Sequence, residues 1–301
     1  MTAGVSDSSE QAPRRIAFLA RTALTSQIRG GQGTLDADAV RERLAQPDVA
    51  LACVELDPLD DLAAQLEERL SGAGSSHDEA LLYVSARAMR AEGELLLLLD
   101  PEHPDTGDAL ADVLAALRDG VTGPALAVLD LRIGTDTDEL EPMEIAKLAR
   151  AAQKASESEV LVGVRRCSAE AELDATSCSP FTRAFLESLD SADPRAGLSA
   201  AELYEMVRES ELVLGIVPAM AYGGVGDSFL LLESTDDGEA QDEPAPSPEA
   251  ESESTAESES TAESESTAES ESTAEEAGSP SAPLPAEPSA PASAASASAL
   301  R

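Results

Sequence analysis

Runs of consecutive apolar residues alternate along the chain with segments in which apolar residues recur every three or four positions. The first pattern predicts buried strands and the second predicts amphipathic helices. The predicted strands are residues 16–20, 49–56, 80–85, 125–130, 160–164 and 228–232, with a further short apolar run at 94–99. The predicted helices are residues 36–45, 58–70, 106–118, 142–154, 180–189 and 199–209. Thr34 or Asp36 is the predicted cap of the first of them. Strands that are apolar on both faces indicate a three-layer α/β/α sandwich with a mostly parallel sheet.

The C-terminal part of the chain has a different composition from the rest. Residues 236–301 hold 17 Asp or Glu, one Arg, 8 of the 18 Pro and none of the seven aromatic residues. They include four consecutive copies of the hexapeptide AESEST at 250–273, a unit too short and too polar to form a repeating fold. We therefore predict a flexible leader at 1–13, one folded domain at 14–235 and a disordered acidic tail at 236–301.

The charge of the chain excludes several classes of function. There are 59 acidic and 20 basic residues, for a net charge of −39; the tail accounts for −16 of this and residues 1–235 for −23. Such a chain repels a polyanion, so we expect no nucleic-acid partner. The longest unbroken apolar run, at 49–54, has six residues, which is too short to cross a membrane. With only three Cys and no secretory signal pattern, we expect a cytoplasmic protein.

In parallel sheets, ligands and catalytic groups gather at the carboxyl ends of the strands. Two of these ends carry a resemblance to the caspase-like peptidases, the family of caspases, metacaspases and their bacterial relatives. The segment EALLYVSARA at 79–88 is similar to the strand that ends in the family's Ser-Gly-His-Gly motif, and EGELLLLLD at 92–100 to the hairpin that follows it. The segment ALAVLDLRIG at 125–134 is similar to the strand that leads into the Asp-x-Cys-His-Ser-Gly motif.

Two later segments extend this resemblance. SPFTRAFLESL at 179–189 is similar to a helix that follows the family's substrate-binding loop, and GLSAAELYEMV at 197–207 to a later helix. In order, the similar segments cover about residues 14–214. The resemblance implies a caspase-haemoglobinase-like fold, that is, the same three-layer sandwich that the hydrophobic pattern predicts.

The chain departs from the family at both catalytic positions. Arg87 stands where the resemblance implies the catalytic His, and Arg132 stands where it implies the nucleophilic Cys. Arginine stays protonated and can act neither as a base nor as a nucleophile. The resemblance therefore implies no catalytic residue here. It places Arg87, Asp130 and Arg132 together in a candidate cleft, where they either form an internal ion pair or bind a carboxylate or phosphate.

Other residues provide only weak candidates for chemistry. His77 precedes a strand and should lie at the wrong end of the sheet, whereas His103 follows a strand end on a loop. A nucleophilic pairing of Cys178 with His103 is the remaining catalytic arrangement. Cys53 fits a small core residue, and Cys167 has no evident role beyond an incidental redox pairing with Cys178. Two His leave no plausible zinc site, and we expect no cofactor.

We therefore expect a catalytically inactive caspase-like protein that acts as a binding, scaffold or regulatory module. Its partner would be a protein, either an active relative or a peptide segment, and the sequence leaves its oligomeric state open. One alternative is an active cysteine endopeptidase whose catalytic residues lie at positions other than those matched. A second alternative is an interaction protein that works through its acidic tail.

Overall fold

The structure is a computed structural model of the 301-residue chain. It describes residues 14–22, 31–72, 77–100, 103, 106–135, 140–168, 171–172, 175–224 and 228–232. All of these lie in the first of the two units into which the chain divides, Met1–Glu243 and Pro244–Arg301. The predicted leader and acidic tail lie outside the described residues.

Ten strands and six helices are found in the described part of the chain. The strands are β1 (Arg15–Arg21), β2 (Ala52–Glu55), β3 (Glu79–Ala91), β4 (Glu94–Leu98), β5 (Asp108–Ala109), β6 (Ala125–Gly134), β7 (Glu159–Cys167), β8 (Leu198–Ser199), β9 (Ala219–Gly223) and β10 (Leu230–Leu232). The helices are α1 (Gln32–Leu44), α2 (Leu62–Leu70), α3 (Leu110–Asp119), α4 (Pro142–Ser156), α5 (Pro180–Ser191) and α6 (Ala200–Glu209). No helix among the described residues has the length and apolar character needed to span a membrane.

The central sheet has the strand order β2-β1-β3-β6-β7-β9. Its first five strands are parallel, and β9 pairs antiparallel with β7 at the edge. The C-terminal part of β3 turns back at Glu92 and Gly93, which both have positive φ, into an antiparallel pairing with β4. The prediction of an α/β fold with a mostly parallel sheet is confirmed.

Helices cover both faces of the sheet. One face packs against α2, α3 and α4, and the other against α1, α5 and α6. Successive residues of a strand point to opposite faces, so β6 supplies Leu129 and Leu131 to the first core and Val128 to the second. This double burial explains why the central strands are apolar throughout.

Several element boundaries differ from the predicted ones. Helix α1 was expected to begin with Thr34 or Asp36 as its cap, but it begins at Gln32 after an extended Gly31, so Asp36 lies inside the helix. Helix α2 begins at Leu62 rather than at the predicted residue 58, with the Asp61 side chain accepting a hydrogen bond from the backbone of Ala64. The strands β3, β6 and β7 continue beyond their predicted apolar cores.

The extended strand ends bring polar residues under two helix N-termini. The first turn of α1 approaches the sheet so closely that a Cβ at Gly33 would lie 3.3 Å from the carbonyl oxygen of Ser85. The N-terminus of α5 is anchored by its cap Ser179, whose side chain accepts a hydrogen bond from the Thr182 backbone. These two helix starts form the wall of the candidate site.

Candidate functional site

Strand pairing brings the predicted cleft residues to one edge of the sheet. Arg87 of β3 is the register partner of Arg132 of β6, and Ser85 is the partner of Asp130. Because side chains alternate between faces, Asp130 and Arg132 lie on the same side of β6. That side is the one covered by α1 and α5.

A third arginine, which the sequence analysis did not single out, continues this row. Arg165 of β7 is the register partner of Arg132, so three neighbouring parallel strands carry an arginine at the same level. The segment VGVRRC at 162–167 contains one sequence signal for it. The alternation of side chains along a strand puts residue 165 on the same face as Leu161, which packs in the core under α5. Reading it required the strand register.

Glu172 joins two of these arginines. Its Oε2 accepts a hydrogen bond from Arg87 Nε at 3.2 Å, and its Oε1 lies 3.9 Å from Arg132 Nε. The backbone N–H of Glu172 donates to the Ser168 carbonyl, which holds it close to the end of β7. The sequence analysis missed Glu172 because it belongs to no periodic segment. We refer to Arg87, Arg132, Arg165, Asp36, Asp130 and Glu172 as the strand-end cluster.

Asp36 enters the strand-end cluster from helix α1 and is fully buried. Its carboxylate accepts hydrogen bonds from the Ser85 hydroxyl at 2.9 Å, the Ser179 backbone N–H at 2.7 Å and the Gln32 amide at 3.0 Å. Burial, reinforced by the nearby Asp130 charge, raises the pKa of Asp36 to about 7. As the pH falls through about 7, Asp36 therefore takes up a proton, and the net charge of the cluster rises by one unit.

Asp130 does not form the hydrogen-bonded ion pair with the arginines that was one interpretation of the sequence. Its Oδ2 instead accepts hydrogen bonds from the Ser179 hydroxyl and from Thr182 Oγ1, the latter at 2.8 Å. The Thr182 hydroxyl is also within 2.6 Å of the Tyr83 hydroxyl. Asp130 thus fastens the N-terminus of α5 to β6, and its other oxygen is left for the interior of the cluster.

Six buried polar atoms of the strand-end cluster have no hydrogen-bond partner among the described residues. Two are the acceptor oxygens Asp130 Oδ1 and Glu172 Oε1. The other four are donor nitrogens, namely Nε and Nη1 of Arg132 and Nε and Nη2 of Arg165. Leaving a buried donor or acceptor unpaired costs about 1–3 kcal/mol, so native proteins keep such groups rare. Six of the seven such atoms among the described residues therefore lie in this one cluster.

The guanidinium groups of the strand-end cluster differ in their surroundings and in their exposure to solvent. Burial lowers the pKa of Arg165, but opposing interactions, of which the charge of Asp130 is the largest, outweigh this effect and raise the pKa overall. Arg132 is 1% exposed, whereas the Arg87 side chain is 32% exposed. Arg87 therefore forms the entrance of the site, and Arg132 forms its floor.

Neither histidine lies in the strand-end cluster. His77 is buried and forms a bridge with Val121 before the start of β3, away from the carboxyl ends of the strands. His103 is exposed, with its Nδ1 2.6 Å from Asp100 Oδ2 beside the β4–α3 connection. Leu99 and Leu110, which flank His103 along the chain, pack on the face of the sheet opposite α1.

The cysteines also lack the surroundings of a nucleophile. Burial and the charges of Asp36 and Asp130 raise the pKa of Cys178 to about 11, and its thiol contacts the carbonyl oxygen of Leu35. Burial raises the pKa of Cys53 in β2, and Cys167 is buried at the end of β7. A reactive Cys needs a lowered pKa, so these positions do not favour the active-peptidase alternative.

The described residues offer no cluster of metal ligands, although five Asp residues are among those that line one of their cavities. They contain no group of three or more His, Cys, Asp or Glu side chains that could hold a metal ion. On the opposite face of the sheet, a cavity of about 480 Å³ is lined by Asp60, Asp100 and Asp112, among others. It lies apart from the strand-end cluster and shares no lining residue with it.

The chain has no match among known families. Neither a scan against protein-family models nor a search of the curated proteins finds a counterpart.

Proposed function

We propose that this chain is a catalytically inactive, caspase-like binding module that holds an oxyanion of a protein partner at the strand-end cluster. The order of strand-end motifs supports the caspase-like part of this proposal. The substitution of both catalytic positions by Arg87 and Arg132 supports the absence of peptidase activity, since a guanidinium can neither attack a peptide carbonyl nor accept a proton.

One observation carries the binding part of the proposal. Three arginines stand side by side at the carboxyl ends of β3, β6 and β7, and two of them have buried N–H groups without acceptors. Guanidinium groups bind carboxylates and phosphates through several hydrogen bonds at once. An acidic side chain of a partner peptide supplies the acceptors that the described residues do not.

The partly exposed Arg87 is the residue with which to test this function. The probe is a fluorescein-labelled hexaglutamate peptide, with binding followed by fluorescence anisotropy at about 0.1 M salt, where long-range repulsion from the acidic chain is largely screened. We expect Arg87→Ala to weaken binding about tenfold, the loss of one charge-assisted hydrogen-bonding group.

Arg90→Ala is the matched control for this measurement. Arg90 lies three residues further along β3, and its side chain is 45% exposed, 3.9 Å from Glu144 of α4 on the opposite face. We expect this variant to bind hexaglutamate like the native chain. Equal affinities of the native chain and Arg87→Ala would contradict the proposed site, and hydrolysis of fluorogenic peptides by the purified chain would contradict the inactive assignment.

A further inference from the structure

Glu172 occupies the place that an external carboxylate would take. Its two oxygens face Arg87 and Arg132 separately, at 3.2 Å and 3.9 Å, as a carboxylate does when it bridges two guanidinium groups. Its side chain is only 10% exposed. A group from outside can reach the buried Arg132 from the Arg87 side only if it shares or replaces this position.

The internal contact of Glu172 is incomplete. Only the pair with Arg87 falls within hydrogen-bonding distance, and Glu172 Oε1 is buried without a hydrogen-bond partner in the described residues. Arg132 Nε, which faces that oxygen, has no hydrogen-bond partner there either. Glu172 therefore neutralises the arginines in part but does not saturate their hydrogen bonds.

Another buried arginine of the same chain shows what a saturated site looks like. The side chain of Arg43 is 8% exposed and donates to Asp190 at 2.7 Å, to both oxygens of Asp48 at 2.8 and 3.1 Å, and to the Leu189 carbonyl at 3.0 Å. Arg132 is more deeply buried, yet it makes one hydrogen bond in the described part of the chain, to Thr22 Oγ1. The carboxylates of Asp36 and Glu172 lie 4.0 and 3.9 Å from its guanidinium nitrogens, beyond hydrogen-bonding distance. The incomplete pairing of Arg132 is thus specific to the strand-end cluster.

We propose that Glu172 is an internal competitor of the ligand, and that an oxyanion binds to Arg87 and Arg132 by exchange with the Glu172 carboxylate. This inference rests on the proposed function. The exchange breaks the 3.2 Å hydrogen bond to Arg87 and returns the Glu172 carboxylate to water, while the incoming oxyanion forms the bonds that Glu172 leaves unmade. Glu172 therefore keeps the affinity low and selects ligands that can contact both arginines.

Neutralising Glu172 is the test of this exchange. Glu172→Gln keeps the shape of the side chain and removes its charge, so we expect hexaglutamate and inorganic phosphate to bind about tenfold more tightly than to the native chain. Glu172→Asp keeps the charge but withdraws the carboxylate by one methylene, and we expect a smaller gain. Both affinities are measured by isothermal titration calorimetry on the full chain.

Glu79→Gln is the control, because Glu79 also pairs with a partly buried arginine, Arg15 at 2.9 Å, at the opposite end of the sheet. It should leave both affinities unchanged. Circular dichroism verifies that each variant is folded. Adding Arg87→Ala to Glu172→Gln should abolish the gain, because the exchanged oxyanion then has lost one of its two partners.

The outcomes separate this inference from the proposed function. Unchanged affinity in both Glu172 variants, with weaker binding in Arg87→Ala, overturns the exchange and leaves the oxyanion site standing. Absence of binding to the native chain and to every variant overturns both. A gain for phosphate alone supports the exchange but identifies the ligand as a free phosphate, which contradicts the peptide partner.

Discussion

The two ends of the central sheet carry the same kinds of charged residue but pair them differently. At the amino end, Arg15 contacts Glu79 at 2.9 Å and the Val49 carbonyl at 3.3 Å, while the buried Glu159 accepts hydrogen bonds from the Phe229 backbone N–H and the Tyr222 hydroxyl at 3.0 and 3.3 Å. At the carboxyl end, the buried arginines keep N–H groups that have no acceptor in the part of the chain that the structure describes.

Under the proposed function, this contrast separates structural charges at the amino end from charges that serve binding at the carboxyl end. A buried charge is tolerated when its partners are internal, and removing one partner then costs stability. A buried charge with unpaired donors weakens the fold and persists where the donors serve another purpose. We therefore expect variants at the amino end to change stability alone, and variants at the carboxyl end to change binding or pH dependence.

The largest expected effect is on the pH dependence of stability, through Asp36. Its pKa is raised in the folded chain from an ordinary 3.8 to about 7, so the folded state holds this proton more tightly than the unfolded state does. The contribution of Asp36 to the free energy of unfolding is fully present below about pH 4 and is lost as the pH rises to about 7. The slope is at most about 1.4 kcal/mol per pH unit.

Urea unfolding between pH 4 and 8 measures this slope. Asp36→Asn mimics the protonated side chain, so it should flatten the curve over this range relative to the native chain. Asp38→Asn is the control, since Asp38 lies in the same helix but is half exposed and pairs with Arg41. Identical slopes in the native chain and Asp36→Asn would show that Asp36 does not titrate in the folded cluster.

The next effect is a loss of stability at the amino end. Glu159→Ala removes the acceptor of the Phe229 backbone N–H and the Tyr222 hydroxyl, so the free energy of unfolding should fall by about 2 kcal/mol. Hexaglutamate binding should stay at the native level. A change in affinity without a loss of stability would reverse the assignment of the two ends of the sheet.

The smallest effect is on stability at the carboxyl end. The Arg87 side chain is about one-third exposed, so Arg87→Ala should lower the free energy of unfolding by less than about 1 kcal/mol even though it weakens hexaglutamate binding. Urea unfolding at pH 7 measures the difference. A loss of several kcal/mol would make Arg87 a structural residue and weaken the contrast between the two ends.

Much of the fold was predictable, and particular residues show where prediction stopped. The apolar cores of β1, β3, β6 and β7 were recognised because each strand is buried on both faces. Their polar continuations were left out of the predicted strands, since Arg87 and Arg132 break the hydrophobic pattern. Strand pairing nevertheless extends β3 and β6 through both residues. Strand β9, with the sequence AMAYG, was missed because it lacks the β-branched residues that predict strands.

The candidate site was predictable only in part. Arg87, Asp130 and Arg132 were identified from the ends of two predicted strands, but Arg165 required the register of a third. Asp36 was taken for a helix cap because caps are local and its true partners, Ser85 and Ser179, are 49 and 143 residues away. No local sequence pattern predicts hydrogen bonds between residues that lie so far apart along the chain.

The sequence by itself determined the alternation of strands and helices, the parallel character of the sheet and the absence of a His or Cys at the two positions where the resemblance implies them. Hydrophobic periodicity and residue identity are local properties, so they can be read without coordinates. The tertiary structure alone decided which charges meet. Glu172 lies between Arg87 and Arg132, Asp130 bonds to the start of α5, and Arg165 completes the row, because strand register and helix docking bring together residues that the chain keeps far apart.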